Sequence, residues 1–266
     1  MQNPMLTIAT KAAYRAGAII TKGFNRRDTL RISRKASNDY VTEIDKNAEA
    51  VIIDTLTTAY PHHGLLGEES GLIGEKESPY QWIIDPLDGT TNFLHGFPQF
   101  AVSIALKYKN RLEVGLVYDP IADELFTAVR GGGAYVNNRR IRVTALVNLQ
   151  DALIGTGLPF REQHKPLVDK YLNAFQQLFF TTAGIRRAGS AALDLSYLAA
   201  GRLDGFWEYD LKSWDMAAGV LLIREAGGLI TDNRGEENYL ATGNIVAGNP
   251  KIFAKLLDVV QKSEQQ

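Results

Sequence analysis

Trp82-Ile83-Ile84-Asp85-Pro86-Leu87-Asp88-Gly89-Thr90-Thr91-Asn92-Phe93 joins a short apolar run of β type to two carboxylates and a turn of glycine and hydroxyl residues. Asp-Pro and Asp-Gly are turn dipeptides, so the strand is predicted to stop at Asp85, with Asp88 on the turn beyond it. Both acids then face one small space, where like charges raise one another's pKa unless a cation or a proton lies between them. A hard divalent cation such as Mg²⁺ meets that need. It takes carboxylate oxygens, a backbone carbonyl such as that of Leu87, and waters, and leaves positions for phosphate oxygens. An ordinary polar loop can hold the same dipeptides, so the other acids of the chain decide the reading.

The chain has 266 residues, 45% hydrophobic and 22% charged, enough for a large core in a globular protein. A net charge of -1 and a pI near 6.4 provide no global field for nucleic acid. The absence of cysteine excludes disulfides, thiolate metal sites and any cysteine-dependent phosphatase mechanism. Lys11, Arg15 and Lys22 interrupt the apolar residues of the N-terminal stretch, so neither a signal peptide nor a membrane span is expected, and cytoplasmic residence follows.

Periodicity predicts an amphipathic helix from Pro4 to about Phe24, a basic polar segment from Arg26 to Asn38, and a second helix from near Thr42 that stops before Pro61. Strand patterns follow near Leu65-Leu66, Trp82 to Ile84, Phe100 to Leu106, Val114 to Tyr118 and Leu125 to Val129. They indicate a largely antiparallel sheet with the two opening helices on one face. The second half alternates. A strand near Ala152 to Gly155 precedes helices from about Pro166 to Phe179 and from Ser190 to Ala200; a strand Gly205 to Tyr209 and a helix opened by Asp215 come next. Short strands Leu229 to Thr231 and Ile245 to Ala247 then lead to a last helix begun by Asn249-Pro250. No long linker or repeat divides the sequence, so residues 1–266 are expected to form a single layered unit with two sheets.

Glu68, in Gly67-Glu68-Glu69-Ser70, also follows a short apolar run and can enter the cleft of Asp85, with Glu69 in reserve; a solvated acidic loop is the alternative. Asp45 falls at the third position of the second helix. Capping explains it there, or it binds a metal through water or orients the Thr90 hydroxyl so that the pair positions an attacking water. Asp215, after Trp214 at a helix start, is a cap or a metal ligand. Ser190, Ala191 and Ala192 after Gly189 either offer helix-start N–H groups to a substrate or cap their own helix. Glu208 is a surface carboxylate or an acceptor for sugar or cyclitol hydroxyls.

Taken together, Gly67-Glu68-Glu69-Ser70, the Trp82 to Phe93 stretch, and Trp214-Asp215 ahead of Ala217-Ala218-Gly219 resemble the inositol monophosphatase family over essentially the whole chain. The resemblance implies an α+β fold, a layered αβαβα sandwich with two sheets, and a homodimer. It implies that Glu68, Asp85, the Leu87 carbonyl, Asp88 and Asp215 hold up to three Mg²⁺ ions. Asp45, Thr90 and Glu68 are its implied catalytic group, the first two as a water-activating pair. Gly89, Thr90 and Thr91 are implied to receive the phosphate, and Gly189, Ser190, Ala191, Glu208 and Asp215 to contact the inositol ring. Gly189 to Leu195 and Tyr239 to Pro250 are similar, more narrowly, to a bacterial branch implicated in ribosomal RNA transcription antitermination through NusA and RNA polymerase. Arg186, Arg187 and Asp194 are offered to such a partner surface or to the dimer interface, or they solvate a face.

The chemistry so implied is Mg²⁺-dependent hydrolysis of a small phosphorylated cyclitol or sugar by in-line attack of water, with no side chain phosphorylated. Asp85 and Asp88 are three apart, unlike the Asp-x-Asp of an aspartyl nucleophile of haloacid dehalogenase type, and the spacing favours metal ligands. Glu208 favours myo-inositol monophosphate over fructose 1,6-bisphosphate, 3′-phosphoadenosine phosphate, histidinol phosphate and NADP. The alternative from another class is a transcription-complex scaffold with an incidental phosphatase site. The basic run Arg26, Arg27, Arg31, Arg34 and Lys35 lacks interleaved aromatics and is expected to be a solvated loop, not an RNA site.

Overall fold

Asn3 opens α1 (Pro4–Phe24) by accepting the Met5 and Leu6 N–H groups, with Pro4 in the first turn, where its missing N–H costs nothing. The computed structural model describes residues 3–26, 32–36, 39–75, 77–159 and 164–264. Where the sequence predicts a basic loop, the backbone forms an antiparallel hairpin of β1 (Ile32–Ala36) and β2 (Asp39–Thr42); Arg27 and Arg31 of that run lie outside the described residues. Thr42 and Asp45 then build a capping box at the head of α2 (Glu43–Ala59).

Strands β3 (Gly64–Gly67), β4 (Gly71–Gly74) and β5 (Tyr80–Asp88) precede a short helix, α3 (Thr90–His95). They join β6 (Ala101–Tyr108), β7 (Arg111–Asp119), β8 (Glu124–Val129), β9 (Gly133–Val136) and β10 (Arg139–Ile141) in an eight-stranded sheet of order β10-β9-β8-β7-β6-β5-β3-β4. Every neighbouring pair is antiparallel except β3 and β5, which run parallel. The second sheet holds β11 (Leu153–Thr156), β12 (Gly184–Arg186), β13 (Gly205–Glu208), β14 (Leu229–Thr231) and β15 (Ile245–Gly248) in the order β12-β11-β13-β15-β14. In it β11 is parallel to β12 and β13, whereas β15 is antiparallel to β13 and β14. Helices α4 (Lys165–Thr181), α5 (Ala191–Ala199), α6 (Ser213–Glu225), α7 (Tyr239–Thr242) and α8 (Pro250–Ser263) complete the second half.

Three apolar cores set the layers. Ala9, Ala13 and Ile20 of α1 and Ile52 and Leu56 of α2 pack on Trp82, Ile84, Ile104 and Leu116 of the large sheet. On its other face Ile83, Val117 and Phe126 meet Ala192, Leu195, Ala218 and Leu222 of α5 and α6, which also bury Phe206, Ile230 and Ala247 of the second sheet. Tyr171 and Leu178 of α4 with Ile252 and Leu256 of α8 close the far side against Ile154, Trp207 and Val246. The result is the α+β, αβαβα sandwich that the resemblance implied. Trp82 and Ile84 enter one core and Ile83 the other, the alternation of a strand buried on both faces. Among the described residues no helix is long and apolar enough to cross a membrane.

Trp82 anchors the first core. It is fully buried, and its Nε1–H donates to His63 Nδ1 at 3.1 Å, while the imidazole is stacked against the rings of Tyr60 and Tyr80. Burial, with His62 adding to it, holds His63 below the usual histidine pKa, as suits a ring nitrogen that accepts a hydrogen bond. Trp82→Ala should therefore lower the unfolding free energy by about 3–5 kcal/mol, read from the shift of a denaturant midpoint.

Candidate active site

In the parallel pair Gly67 lies opposite Ile84, and the Glu68 N–H extends the pairing onto the Ile84 carbonyl at 3.1 Å. Parallel strands end on the same edge of a sheet, so Glu68 and Asp85 leave it side by side. β5 does not stop at Asp85, as the turn dipeptides predict. It runs to Asp88 through an irregularity in which Asp85 faces Ser103 and Asp88 faces Ala101 of β6. Residues three apart on a regular strand point to opposite faces. The one extra residue here, at Pro86-Leu87, where proline has no N–H to pair, turns both carboxylates the same way.

Asp215 comes from the first turn of α6, where the Lys212 N–H donates to its Oδ2 at 2.6 Å. One carboxylate oxygen from each of Asp85, Asp88 and Asp215 lies within 4.8 Å of the other two. With Glu68 and Leu87 they line a cavity of about 170 Å³. Glu69, the reserve candidate, is not among the residues that line it, and its backbone N–H donates to Glu49 Oε1 at 3.0 Å.

Burial, together with Glu68, Asp88 and Asp215, pushes the Asp85 carboxyl well above the usual carboxylate range. Asp88 is pushed up to about 6 by burial, although the Ser190 hydroxyl at 2.6 Å and the Ala192 N–H at 2.7 Å, both donating to its Oδ2, pull the other way. Acids so crowded do not all ionise without a cation, and an all-oxygen donor set suits a hard divalent ion. A cation arriving below that pH must displace the proton. The apparent Mg²⁺ affinity of the metal-free protein should fall about tenfold per pH unit below about 6 for the proton displaced from Asp88, and more steeply wherever Asp85, also raised, is protonated as well. Calorimetric titration on both sides of that value checks this. The folded state also holds the Asp88 proton more tightly than an unfolded chain does. This group therefore stabilises the metal-free fold fully below its ordinary value of 3.8, and that contribution is lost as the pH rises through about 6.

Asp45 both caps α2 and contacts Thr90. Its Oδ2 accepts the Thr42 N–H at 2.9 Å, closing the α2 cap, and its Oδ1 accepts the Thr90 hydroxyl at 3.0 Å. Burial raises the Asp45 carboxyl, and the hydrogen bonds from Thr42 and Thr90 partly offset that. Asp45 does not line the cavity but reaches it through Thr90, whose hydroxyl is also 3.1 Å from the Leu87 carbonyl. Gly89 makes the turn possible: its φ is 97°, and a Cβ there would sit 2.8 Å from the Gln99 carbonyl oxygen. Gly89, Thr90 and Thr91 all line the cavity, the two threonines in the first turn of α3, where backbone N–H groups have no intrahelical partner.

Gly189, Ser190, Ala191 and Glu208 form the opposite wall. Asn92 pins it to α3, donating from Nδ2 to the Gln99 and Ala188 carbonyls at 2.7 and 2.8 Å. Ser190 gives its hydroxyl hydrogen to Asp88, a tie between the two halves of the chain that the sequence does not reveal. Glu208, at the end of β13, rests on Gly157, where a Cβ would lie 1.6 Å from its Oε1. Burial and then Asp194 and Asp215 raise the Glu208 carboxyl.

Asp194, offered to a partner surface, the dimer interface or a solvated face, is instead buried on α5 and lines the cavity. Arg187 lines the cavity too and, like Arg186, is exposed, as those readings allow. An Arg-Arg pair and an acid in a helix carry no local mark of a site. Thr156 and Gly157 are also cavity residues that sequence reasoning missed. Their signal is positional: β11 ends beside β13, so their edge is also that of Glu208.

A profile of the inositol monophosphatase family matches residues 1–265. The chain belongs to the inositol monophosphatase family. It is 54% identical over 260 residues to the Nus factor SuhB of Pseudomonas aeruginosa, covering 97% of this chain and 96% of that one. Among solved structures, the extragenic suppressor protein suhB of Bartonella henselae matches with a TM-score of 0.94 at 46% identity, over 98% of this chain and 99% of that chain. The inositol monophosphatase of Anabaena matches with a TM-score of 0.86 at 39% identity, over 97% and 95%. Membership of the inositol monophosphatase family makes the chain a phosphatase by class, in a family of metal-dependent enzymes, and Asp85, Asp88 and Asp215 form a cluster able to hold a metal ion.

Proposed function

We propose that this chain is a cytoplasmic, Mg²⁺-dependent hydrolase of myo-inositol monophosphate that works as a homodimer of single-domain subunits. The observation that carries the reading is the convergence of Asp85, Asp88 and Asp215 oxygens within 4.8 Å, beside the Thr90 to Asp45 hydrogen bond. Glu68, Asp85, the Leu87 carbonyl, Asp88 and Asp215 would hold the metal. A bound divalent cation supplies Lewis-acid stabilisation of phosphoryl oxygens and a lowered pKa for water. The chain's own part is orientation. A Thr90 hydroxyl that donates to Asp45 turns its lone pairs to the cavity, where they accept a hydrogen bond from the attacking water. The buried Asp45 carboxyl fixes that direction and takes the Thr90 hydroxyl proton as the Thr90 oxygen takes one from the water. Backbone N–H groups at Gly89, Thr90 and Thr91 face the phosphate, and Gly189, Ser190, Ala191, Glu208 and Asp215 face the ring, Glu208 as a hydroxyl acceptor.

Likeness to the Anabaena inositol monophosphatase supports the substrate. The test is phosphate release from D-myo-inositol 1-phosphate with and without Mg²⁺, beside fructose 1,6-bisphosphate and 3′-phosphoadenosine 5′-phosphate. Fast Mg²⁺-dependent release from the inositol ester alone is expected. Preference for another ester would keep the mechanism and change the substrate.

A second reading is favoured by the name Nus factor carried by the Pseudomonas relative: association with NusA and RNA polymerase in ribosomal RNA antitermination, with catalysis incidental. Exposed Phe97, Leu172, Phe179 and Phe180 provide apolar surface for the dimer contact or for such a partner. Failure to capture NusA or RNA polymerase would count against this role.

A further inference from the structure

Asp194 has no part in the mechanism above, and its placement is costly. It lies on α5, where eight of the nine residues are buried between the two sheets, and it is only 3% exposed. Alanine or leucine, which make up most of the same helix, would be buried there without penalty, whereas a carboxyl taken out of water needs a partner. Among the described residues nothing donates a hydrogen bond to the Asp194 carboxyl; Arg187 acts on it with opposite charge, more weakly than burial and Asp88 disfavour it, and Asp194 lines the cavity.

Glu208 stands on the same wall, seated against Gly157, and among the described residues its carboxyl likewise accepts no hydrogen bond. The two acids sense one another: Asp194 is the charge that acts most on Glu208. Among the described residues Arg187 is the single basic side chain that lines the cavity. This wall, joined to Asp88 through Ser190 and Ala192, therefore presents two carboxyls without hydrogen-bond donors against one guanidinium. In either protonation state a carboxyl hydrogen-bonds a hydroxyl. A second phosphate on the same wall would meet a net negative surface.

We infer that Asp194 is a specificity-determining residue which, with Glu208, binds two hydroxyls of the alcohol portion of the substrate. The selected class is an uncharged polyol monophosphate, and alcohols that carry a second phosphate are rejected. This inference rests on the phosphatase reading above.

The test is Asp194→Leu, which removes every hydrogen-bonding atom of the side chain, assayed on D-myo-inositol 1-phosphate, fructose 1,6-bisphosphate and 4-nitrophenyl phosphate, whose alcohol has no further hydroxyl. kcat/KM for the inositol ester should fall about 10- to 100-fold, the worth of a hydrogen bond to a charged group. The loss on 4-nitrophenyl phosphate should be about tenfold smaller or less, and the preference for the inositol ester over the bisphosphate should shrink. The thermal midpoint should hold or rise, because burial and Asp88 disfavour that carboxylate more than Arg187 favours it. Equal losses on all three esters, or a falling midpoint, would assign Asp194 to the metal cluster or the fold and overturn the inference, as would an unchanged inositol preference. A wild-type protein inactive on every ester would instead overturn the phosphatase reading itself.

Discussion

Asp88→Asn should lower phosphate release from D-myo-inositol 1-phosphate by well over ~100-fold at saturating Mg²⁺, more than the loss of a group that only supports a metal ligand. Asp88 Oδ2 accepts from the Ser190 hydroxyl at 2.6 Å and the Ala192 N–H at 2.7 Å, and the same carboxylate belongs to the cluster with Asp85 and Asp215. An asparagine satisfies both donors only with its carbonyl oxygen. Its NH₂ then stands where the second carboxylate oxygen was, a donor in place of an acceptor beside two other acids. The change keeps the shape and the tie to α5 while removing one of several mutually repelling charges. The thermal midpoint of the metal-free protein should therefore hold or rise. Steady-state phosphate assays and thermal melts of the same preparation separate the two effects. Most of the activity surviving would remove Asp88 from the metal-holding group.

Thr90→Val should reduce kcat by about 10²–10⁴, the range for losing a positioned acid–base group, with the Mg²⁺ concentration for half-activation little changed. Valine keeps the β-branched shape but deletes the hydroxyl that joins Asp45 to the cavity through a 3.0 Å hydrogen bond. Thr90→Ser restores the hydroxyl and should recover most of the rate. Wild-type kcat in the valine variant would leave Asp45 as a helix cap and nothing more.

The long helices are legible because their ends carry local chemistry. Asn3-Pro4 and Asn249-Pro250 place a side-chain acceptor and a proline where α1 and α8 begin, and Thr42 and Asp45 mark the head of α2. The β1–β2 hairpin is not legible, since Arg31 to Asn38 shows no alternation of apolar residues. β4, β9 and β10 are short and bounded by glycine or asparagine, and no strand is predicted there. They are strands because a neighbouring edge supplies hydrogen-bond partners, which no residue of their own announces.

The acids of the site are readable one by one, because a carboxylate at the end of an apolar run or at a helix start is a local pattern. How they meet is not local. A bulge against β6 makes Asp85 and Asp88 face one way, and the parallel choice of β3 brings Glu68 beside them. The position of α5 and α6 between the sheets delivers Asp215, Asp194 and the Ser190 hydroxyl, which is 102 positions from the Asp88 it contacts. Periodicity reports which face of an element is apolar. It carries no information on which strand edge or helix that face will choose, and in this protein that choice turned a set of scattered acids into one cavity and buried Asp194 in its wall.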